Sequence, residues 1–212
     1  MNQNNKDYYS YTKNMFKKIA PFYNIFELFI PGIRKKVVEL TDVKTGKVLD
    51  VCCGTGTQAI EFSKNNYEVS GIDLSDGMLN VANRKNTKNK YGIKFIIGDA
   101  AAMPYEDNQF DISCISFALH DMPADIRKKI LTEMTRVTKP KGNIMIIDYA
   151  LPENKIKKFL IYHFIKLYET KYYEGFIKSD IKELIKNFGI EVKEDVPVMF
   201  GGARILKGIN NK

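Results

Sequence analysis

The sequence lacks tryptophan, contains only three cysteines and two histidines, and has no long apolar run. Three cysteines cannot all pair, and the adjacent Cys52 and Cys53 do not have zinc-ligand spacing, so we expect reduced, buried residues and no metal site. The longest apolar run, residues 25–30, is interrupted by Glu27 and falls short of the ~20 residues that span a bilayer. Residues 1–6 lack the apolar segment of a signal peptide, so we expect a cytoplasmic protein without a transmembrane segment.

Positive charge is in excess. Lysine and arginine number 33 against 25 aspartates and glutamates, which gives a net charge of +8. The lysines are dispersed in pairs such as 35–36 and 128–129, as is typical of solvated helix faces. A nucleic-acid partner would favour a concentrated basic stripe with interleaved aromatic residues, so such a partner is disfavoured. Peripheral contact with an anionic membrane stays open, and so does the oligomeric state.

The length and the order of apolar segments predict an α/β fold. A chain of 212 residues can bury one substantial core but is short for two domains. Short apolar runs alternate with helical periodicity from residue 47, which predicts βαβ units and a parallel sheet. The predicted strands are 47–51, 68–72, 93–97, 110–116, 143–148, 190–196 and 199–205. The predicted helices are 57–65, 75–88, 123–138, an amphipathic segment from Pro152, and 179–188.

A glycine-punctuated turn follows the first predicted strand, in the segment Val48 to Thr57. Gly54 and Gly56 carry no Cβ, so a ligand can lie against the backbone there. Asp50 adds negative charge, whereas a phosphate site would need the opposite sign. The loop also lacks the Gly-Lys-Ser/Thr ending of a P-loop. This pattern favours a ligand that has a cationic end and hydroxyl groups.

Acidic residues mark the ends of three successive predicted strands: Asp50, Asp73 and Asp99. The carboxyl ends of parallel strands meet at one edge of the sheet, which is where ligands bind in doubly wound folds. An acid at the end of the second strand is well placed to accept hydrogen bonds from both ribose hydroxyls. We therefore expect a nucleoside site at this edge.

Five motifs in this order carry a family resemblance: LDVCCGTGT, GIDLS, GDAAAMPY, FDISCISFALHDM and EMTRVTKPKGNIMIIDY. They resemble class I methyltransferases that use S-adenosylmethionine, and most closely the small-molecule group that includes ubiquinone/menaquinone C-methyltransferases. The resemblance implies a Rossmann-like, seven-stranded, mostly parallel sheet with an antiparallel last strand. It also implies one domain, divided into a helical cap (1–45), a cofactor-binding core (46–150), a lid insertion (151–178) and a C-terminal helix and strand pair (179–212).

The resemblance also implies where S-adenosylmethionine, and its product S-adenosylhomocysteine, would bind. Asp50 would lie near the methionine amino group, although it could instead only fix the turn through backbone amides. Asp73 would hold the ribose hydroxyls, and Asp99 would address the adenine amino group. The further cofactor-binding residues expected are Tyr23, Cys52, Gly54, Thr55, Gly56, Leu74, Met78, Ala100, Ser116 and Phe117. Many family members have glycine at the position of Cys52.

The methyl acceptor is inferred by elimination. Ser116 to Leu119 do not form the Asn/Asp-Pro-Pro-Tyr/Phe motif of many amino-group methyltransferases, so a small or lipophilic acceptor is expected. His120 is the candidate catalytic residue, as a proton acceptor or substrate-orienting group, although a structural histidine is the alternative. The amphipathic segment from Pro152 is expected to pack as a lid. A non-catalytic sensor or partner subunit that binds S-adenosylmethionine is the second functional interpretation.

Overall fold

A single mixed β-sheet organises the described residues of the computed structural model, which are 3–20, 31–167 and 169–212; Tyr23 lies outside them. The strands are β1 (Lys47–Val51), β2 (Glu68–Asp73), β3 (Lys94–Ile97), β4 (Phe110–Ser116), β5 (Thr138–Tyr149), β6 (Ile190–Val198) and β7 (Ala203–Asn210). Across these residues the seven strands are ordered β3-β2-β1-β4-β5-β7-β6. Only the pairs that involve β7 are antiparallel among them. The predicted mostly parallel sheet with an antiparallel last strand is confirmed.

Helices precede the sheet and connect its strands. They are α1 (Gln3–Ile19), α2 (Pro31–Glu39), α3 (Thr57–Lys64), α4 (Asp76–Asn89), α5 (Ala124–Val137), α6 (Lys155–Lys166), α7 (Tyr173–Lys178) and α8 (Ile181–Lys186). Short 3-10 turns cover Leu119–Asp121 and Met199–Gly201. Ser75 caps α4, since its hydroxyl accepts a hydrogen bond from the Met78 amide. The division of the chain into four segments stays a prediction.

Apolar layers cover both faces of the sheet. Along β1, Leu49 packs into one cluster and Val48 into the other, because successive strand side chains point to opposite faces. On β5, Ile144 and Met145 alternate in the same way. Helix α5 covers the first cluster, and α2 and α3 cover the second. With both faces covered, the carboxyl edge of the sheet is left as the place where a ligand can reach the strand ends.

The C-terminal strands differ from the prediction in their positions. The sequence predicts a turn near Pro197, but Pro197 lies inside β6 and pairs with Arg204 of β7. Strand β6 is an edge strand that pairs only with β7 in the sheet order, and an edge strand tolerates a residue without an amide hydrogen. The reversal instead occurs at Met199–Gly201. Strand β5 also begins earlier than predicted, because Thr138 already pairs with Phe110.

Candidate functional site

A cavity at the carboxyl ends of the central strands brings together most of the predicted site residues. Those that line it are Asp50, Cys52, Gly54, Thr55, Asp73, Leu74, Met78, Asp99, Ala100, Ser116 and Phe117. Among the described residues, Gly56 and His120 do not line it. The backbone is strained on both sides of the cavity, because Cys52 after β1 has a φ of 53° and Phe117 after β4 has a φ of 51°.

The two glycines of the loop have different roles. A Cβ on Gly54 would meet nothing within 4 Å, so the space above this residue is open to the cavity. A Cβ on Gly56 would lie 2.6 Å from Cζ of Phe95 and 3.0 Å from Cβ of Ala82. Gly56 is therefore needed for close packing behind the loop, and Gly54 provides the surface against which a ligand can lie.

Asp73 holds the glycine loop in place. Its Oδ2 accepts a hydrogen bond from the Gly54 amide at 2.8 Å, and its Oδ1 accepts one from the Ser75 amide at 2.8 Å. Burial raises the pKa of Asp73, and the backbone amides of Ser75 and Gly54 oppose this rise. A carboxylate has about four lone-pair positions, so both oxygens keep capacity for a further donor such as a ribose hydroxyl.

The other two acids are also anchored. Asp50 is buried, and its Oδ2 accepts a hydrogen bond from the Ala59 amide in the first turn of α3 at 3.0 Å. This is the turn-fixing contact named above as the alternative role. Asp99 accepts from the Ala101 amide and, on its other oxygen, from the hydroxyl of Tyr9 at 2.8 Å. The order β3-β2-β1 places the three acids side by side, as the sequence predicts.

Helix α1, in the segment predicted as a helical cap, closes the cavity on the side of Asp99, and its lining residues were not among the predicted site residues. Tyr8, Tyr9, Thr12 and Phe16 line the cavity from this helix. The helix packs closely on α4, since a Cβ on Gly77 would lie 2.9 Å from the Lys17 Cα. A ligand that reaches Asp73 and Asp99 is therefore covered by α1.

Arg34 of α2 is a second cavity residue that the sequence did not predict. Its side chain is buried, and its Nε and Nη1 have no hydrogen-bond partner among the described residues. Its guanidinium carbon lies 5.8 Å from the ring centroid of Phe117. Buried N–H groups of a cation that lack acceptors are unfavourable, so an anionic ligand group that accepts from Nε and Nη1 would be stabilised here. In the sequence, the run Arg34-Lys35-Lys36 has the pattern of a solvated helix face. The pattern therefore does not indicate that Arg34 is buried.

His120 is buried between two carboxylates. Its Nδ1 lies 2.6 Å from Oδ1 of Asp148, and its Nε2 lies 3.2 Å from Oε2 of Glu169. Burial lowers the pKa of His120, but the two carboxylates outweigh this effect and raise it to about 10. The imidazole is therefore a cation that donates both N–H groups, and it links the loop after β4 to the segment after α6.

Asp121, the next residue, faces the cavity. It lines the cavity beside Ala118 and Met122, and its Oδ1 is buried without a hydrogen-bond partner among the described residues. Burial raises the pKa of Asp121 to about 6, against the opposing effects of Thr170 and the cationic His120. A carboxylate with a pKa near neutrality is suited to accept a proton from a bound molecule.

Comparison with known proteins agrees with this geometry. A family model described as a methyltransferase domain matches residues 48–142. The demethylmenaquinone methyltransferase of Staphylococcus saprophyticus is 41% identical over 129 residues, which are 59% of this chain and 54% of that protein. In that match the chain spans about half the length of its relative. The demethylmenaquinone methyltransferase of Staphylococcus aureus is 34% identical over 202 residues, which are 92% of this chain and 83% of that protein.

A solved structure shows the same fold. The SAM-dependent methyltransferase of Aquifex aeolicus matches with a TM-score of 0.65 and 23% identity, over 83% of this chain and 88% of that one. The strand order and the acid-lined edge are those of class I methyltransferases that use S-adenosylmethionine. Within this class, the chain belongs to the family that includes the demethylmenaquinone methyltransferases.

Proposed function

We propose that the protein is cytoplasmic and transfers a methyl group from S-adenosylmethionine to a lipophilic molecule with a hydroxylated aromatic ring. The observation that carries this proposal is the cavity itself. It combines the carboxylates of Asp50, Asp73 and Asp99, an open glycine surface and the buried Arg34. The relatives named above act, by their names, on demethylmenaquinone, which supports a lipophilic ring as the acceptor.

The residues of the cavity fit the chemical groups of the cofactor. Asp50 and Arg34 provide opposite charges for the ammonium and carboxylate groups of its methionine part. Asp73 accepts hydrogen bonds from the ribose, and Gly54 leaves room for close approach. Leu74 and Met78 pack on the adenine. The other predicted residues that line the cavity contribute to the same surface: Cys52, Thr55, Asp99, Ala100, Ser116 and Phe117.

S-adenosylmethionine supplies an activated methyl group and a neutral leaving group, so the protein chiefly has to position the acceptor and exclude water. The acceptor side is bounded by Asp121. When the acceptor atom gains the methyl group it loses a proton, and Asp121 is the group that accepts this proton. The cationic His120 stabilises the carboxylate form of Asp121 and fixes its loop. His120 therefore acts as a positioning residue in this proposal.

The test is turnover with a defined acceptor. Purified protein should convert S-adenosylmethionine to S-adenosylhomocysteine in the presence of a 1,4-naphthoquinol that carries a short isoprenoid chain. One molecule of methylated naphthoquinol should form for each molecule of S-adenosylhomocysteine. The product is measured by mass spectrometry. Tight binding of S-adenosylhomocysteine without turnover, on this acceptor or on a metabolite extract, would favour the non-catalytic sensor. The names of the relatives favour the enzyme.

A further inference from the structure

Helix α6 lies in the segment that the sequence predicts to pack as a lid, and its apolar face is exposed. Ile156, Phe159, Leu160 and Phe164 are between 61% and 73% exposed, and Leu167 just after the helix is 86% exposed. Ile165 is the buried side chain of α6. An amphipathic helix normally turns such a face towards the core, so this face is available to a partner.

The turn Met199–Gly201 extends this face. Phe200 is 95% exposed and Met199 is 41% exposed. The turn lies next to α6, because a Cβ on Gly202 would be 3.3 Å from Cγ2 of Ile161. Phe200 has a φ of 56°, a left-handed conformation that is unfavourable for a bulky residue. The backbone thus holds a phenyl ring outward at a conformational cost. The exposed apolar residues of 156–167 together with Met199 and Phe200 are called the apolar patch below.

Lysines are interspersed along the segment that carries the helical part of the apolar patch. Segment 152–171 contains five lysines and two glutamates. Lys155, Lys157 and Lys158 at the start of α6 are exposed. One glutamate, Glu169, is engaged with His120. Two copies of the chain that met through this face would bring their lysines together, whereas an anionic lipid surface would neutralise them.

We propose that the apolar patch docks the protein on an anionic lipid bilayer, with α6 lying in the interface and the ring of Phe200 inserted beside it. Helices that combine an exposed apolar face with lysines lie in the plane of such an interface. In the described parts of the chain no helix has both the length and the apolarity to cross a membrane, so this contact is peripheral.

Docking through α6 has a consequence for the site. The segment after α6 reaches Glu169, which contacts His120 beside the cavity residue Asp121. A bilayer bound at α6 would therefore lie on the acceptor side, where a lipophilic ring could leave the membrane. This consequence rests on the proposed function, but docking itself does not, so the two can fail separately.

Vesicle flotation of the full chain tests the proposal. We expect the protein to float with vesicles of phosphatidylglycerol and phosphatidylcholine and to stay unbound with phosphatidylcholine alone. The variant Phe159→Ser/Phe164→Ser should lose binding to the mixed vesicles. Replacing the three lysines at the start of α6 with glutamine should weaken binding about fivefold for each residue, or on the order of a hundredfold together.

Ile97→Ser is the matched control. Ile97 is 63% exposed on β3, which forms the opposite edge of the sheet from β6. This variant should float like the unchanged chain. Equal binding to neutral vesicles, or no effect of Phe159→Ser/Phe164→Ser, would overturn the proposal. A dimer by light scattering that this double variant dissociates would also overturn it, because a second copy would then cover the patch. Turnover of a water-soluble quinol is measured without vesicles. It tests the proposed methyl transfer independently of membrane docking.

Discussion

Replacement of Asp73 by alanine should weaken cofactor binding and should also lower the stability of the glycine loop. The two effects can be measured separately. The carboxylate accepts the amides of Gly54 and Ser75 at 2.8 Å each and, in the proposal, the ribose hydroxyls as well. Hydrogen bonds to a charged group contribute about 1.5–3 kcal/mol each. Loss of the ribose bonds alone should therefore raise the Kd for S-adenosylhomocysteine at least about tenfold.

The loop contacts contribute to the stability of the fold. In Asp73→Ala the amides of Gly54 and Ser75 lose their acceptor. The loss would lower the free energy of unfolding by about 1–3 kcal/mol for each amide that is fully buried. We expect a smaller effect here, because Asp73 is only partly buried. Calorimetric titration gives the affinity, and denaturant unfolding gives the stability. Glu68→Ala, at the exposed start of the same strand, is the matched control and should change neither quantity by much.

A 2′-deoxy analogue of S-adenosylhomocysteine separates the two effects. If Asp73 binds the ribose, the unchanged protein should lose affinity for the analogue, and Asp73→Ala should bind both ligands equally weakly. If Asp73→Ala lowers affinity for both ligands by the same factor and keeps their ratio, then Asp73 acts only through the loop. That result would refute the ribose assignment.

The remaining predictions concern four other parts of the site. Arg34→Leu should weaken binding of S-adenosylhomocysteine at least about tenfold and leave methylthioadenosine, which has no carboxylate, unaffected in the same titration. Gly54→Ala should weaken cofactor binding, measured by titration. Gly56→Ala should mainly lower the free energy of unfolding, by about 1–3 kcal/mol beyond the left-handed backbone strain that both variants share, measured by denaturation. Equal effects of the two variants on both quantities would contradict their distinct roles. The acid form of Asp121 cannot accept a proton, so kcat should fall below a pH of about 6, the raised pKa of this group, and Asp121→Asn should remove that limb of the profile. The pKa of His120 is raised to about 10, so its stabilising contribution is complete below about pH 6.5 and is lost as the pH rises through 10. His120→Ala should therefore lower the melting temperature more at pH 6 than at pH 10, and slowed turnover with an unchanged melting curve would instead indicate catalysis.

Local patterns in the sequence were enough to predict the sheet and the edge at which the acids lie. The alternation of strands and helices, the acids at the strand ends and the glycine turn each lie within a few residues of one another. Their positions relative to the sheet follow from the periodicity of a strand and from the rule that parallel strands end at one edge. Strands β1 and β4 have the bounds that the sequence predicts. The pattern could not separate Gly54 from Gly56, because that distinction depends on the ring of Phe95 behind the loop.

The sequence by itself determined the parallel sheet, its acid-lined edge and the class of ligand, since these depend on short-range periodicity and charge. Only the tertiary structure decided what surrounds that edge. Tyr9 meets Asp99 across 90 residues of chain, and His120 meets Asp148 across 28. The burial of Arg34 and the exposure of the apolar face of α6 likewise depend on which elements pack against them. An apolar stripe or a basic run has the same pattern whether or not a neighbour covers it, so only the packed chain distinguishes a buried cation from a solvated one.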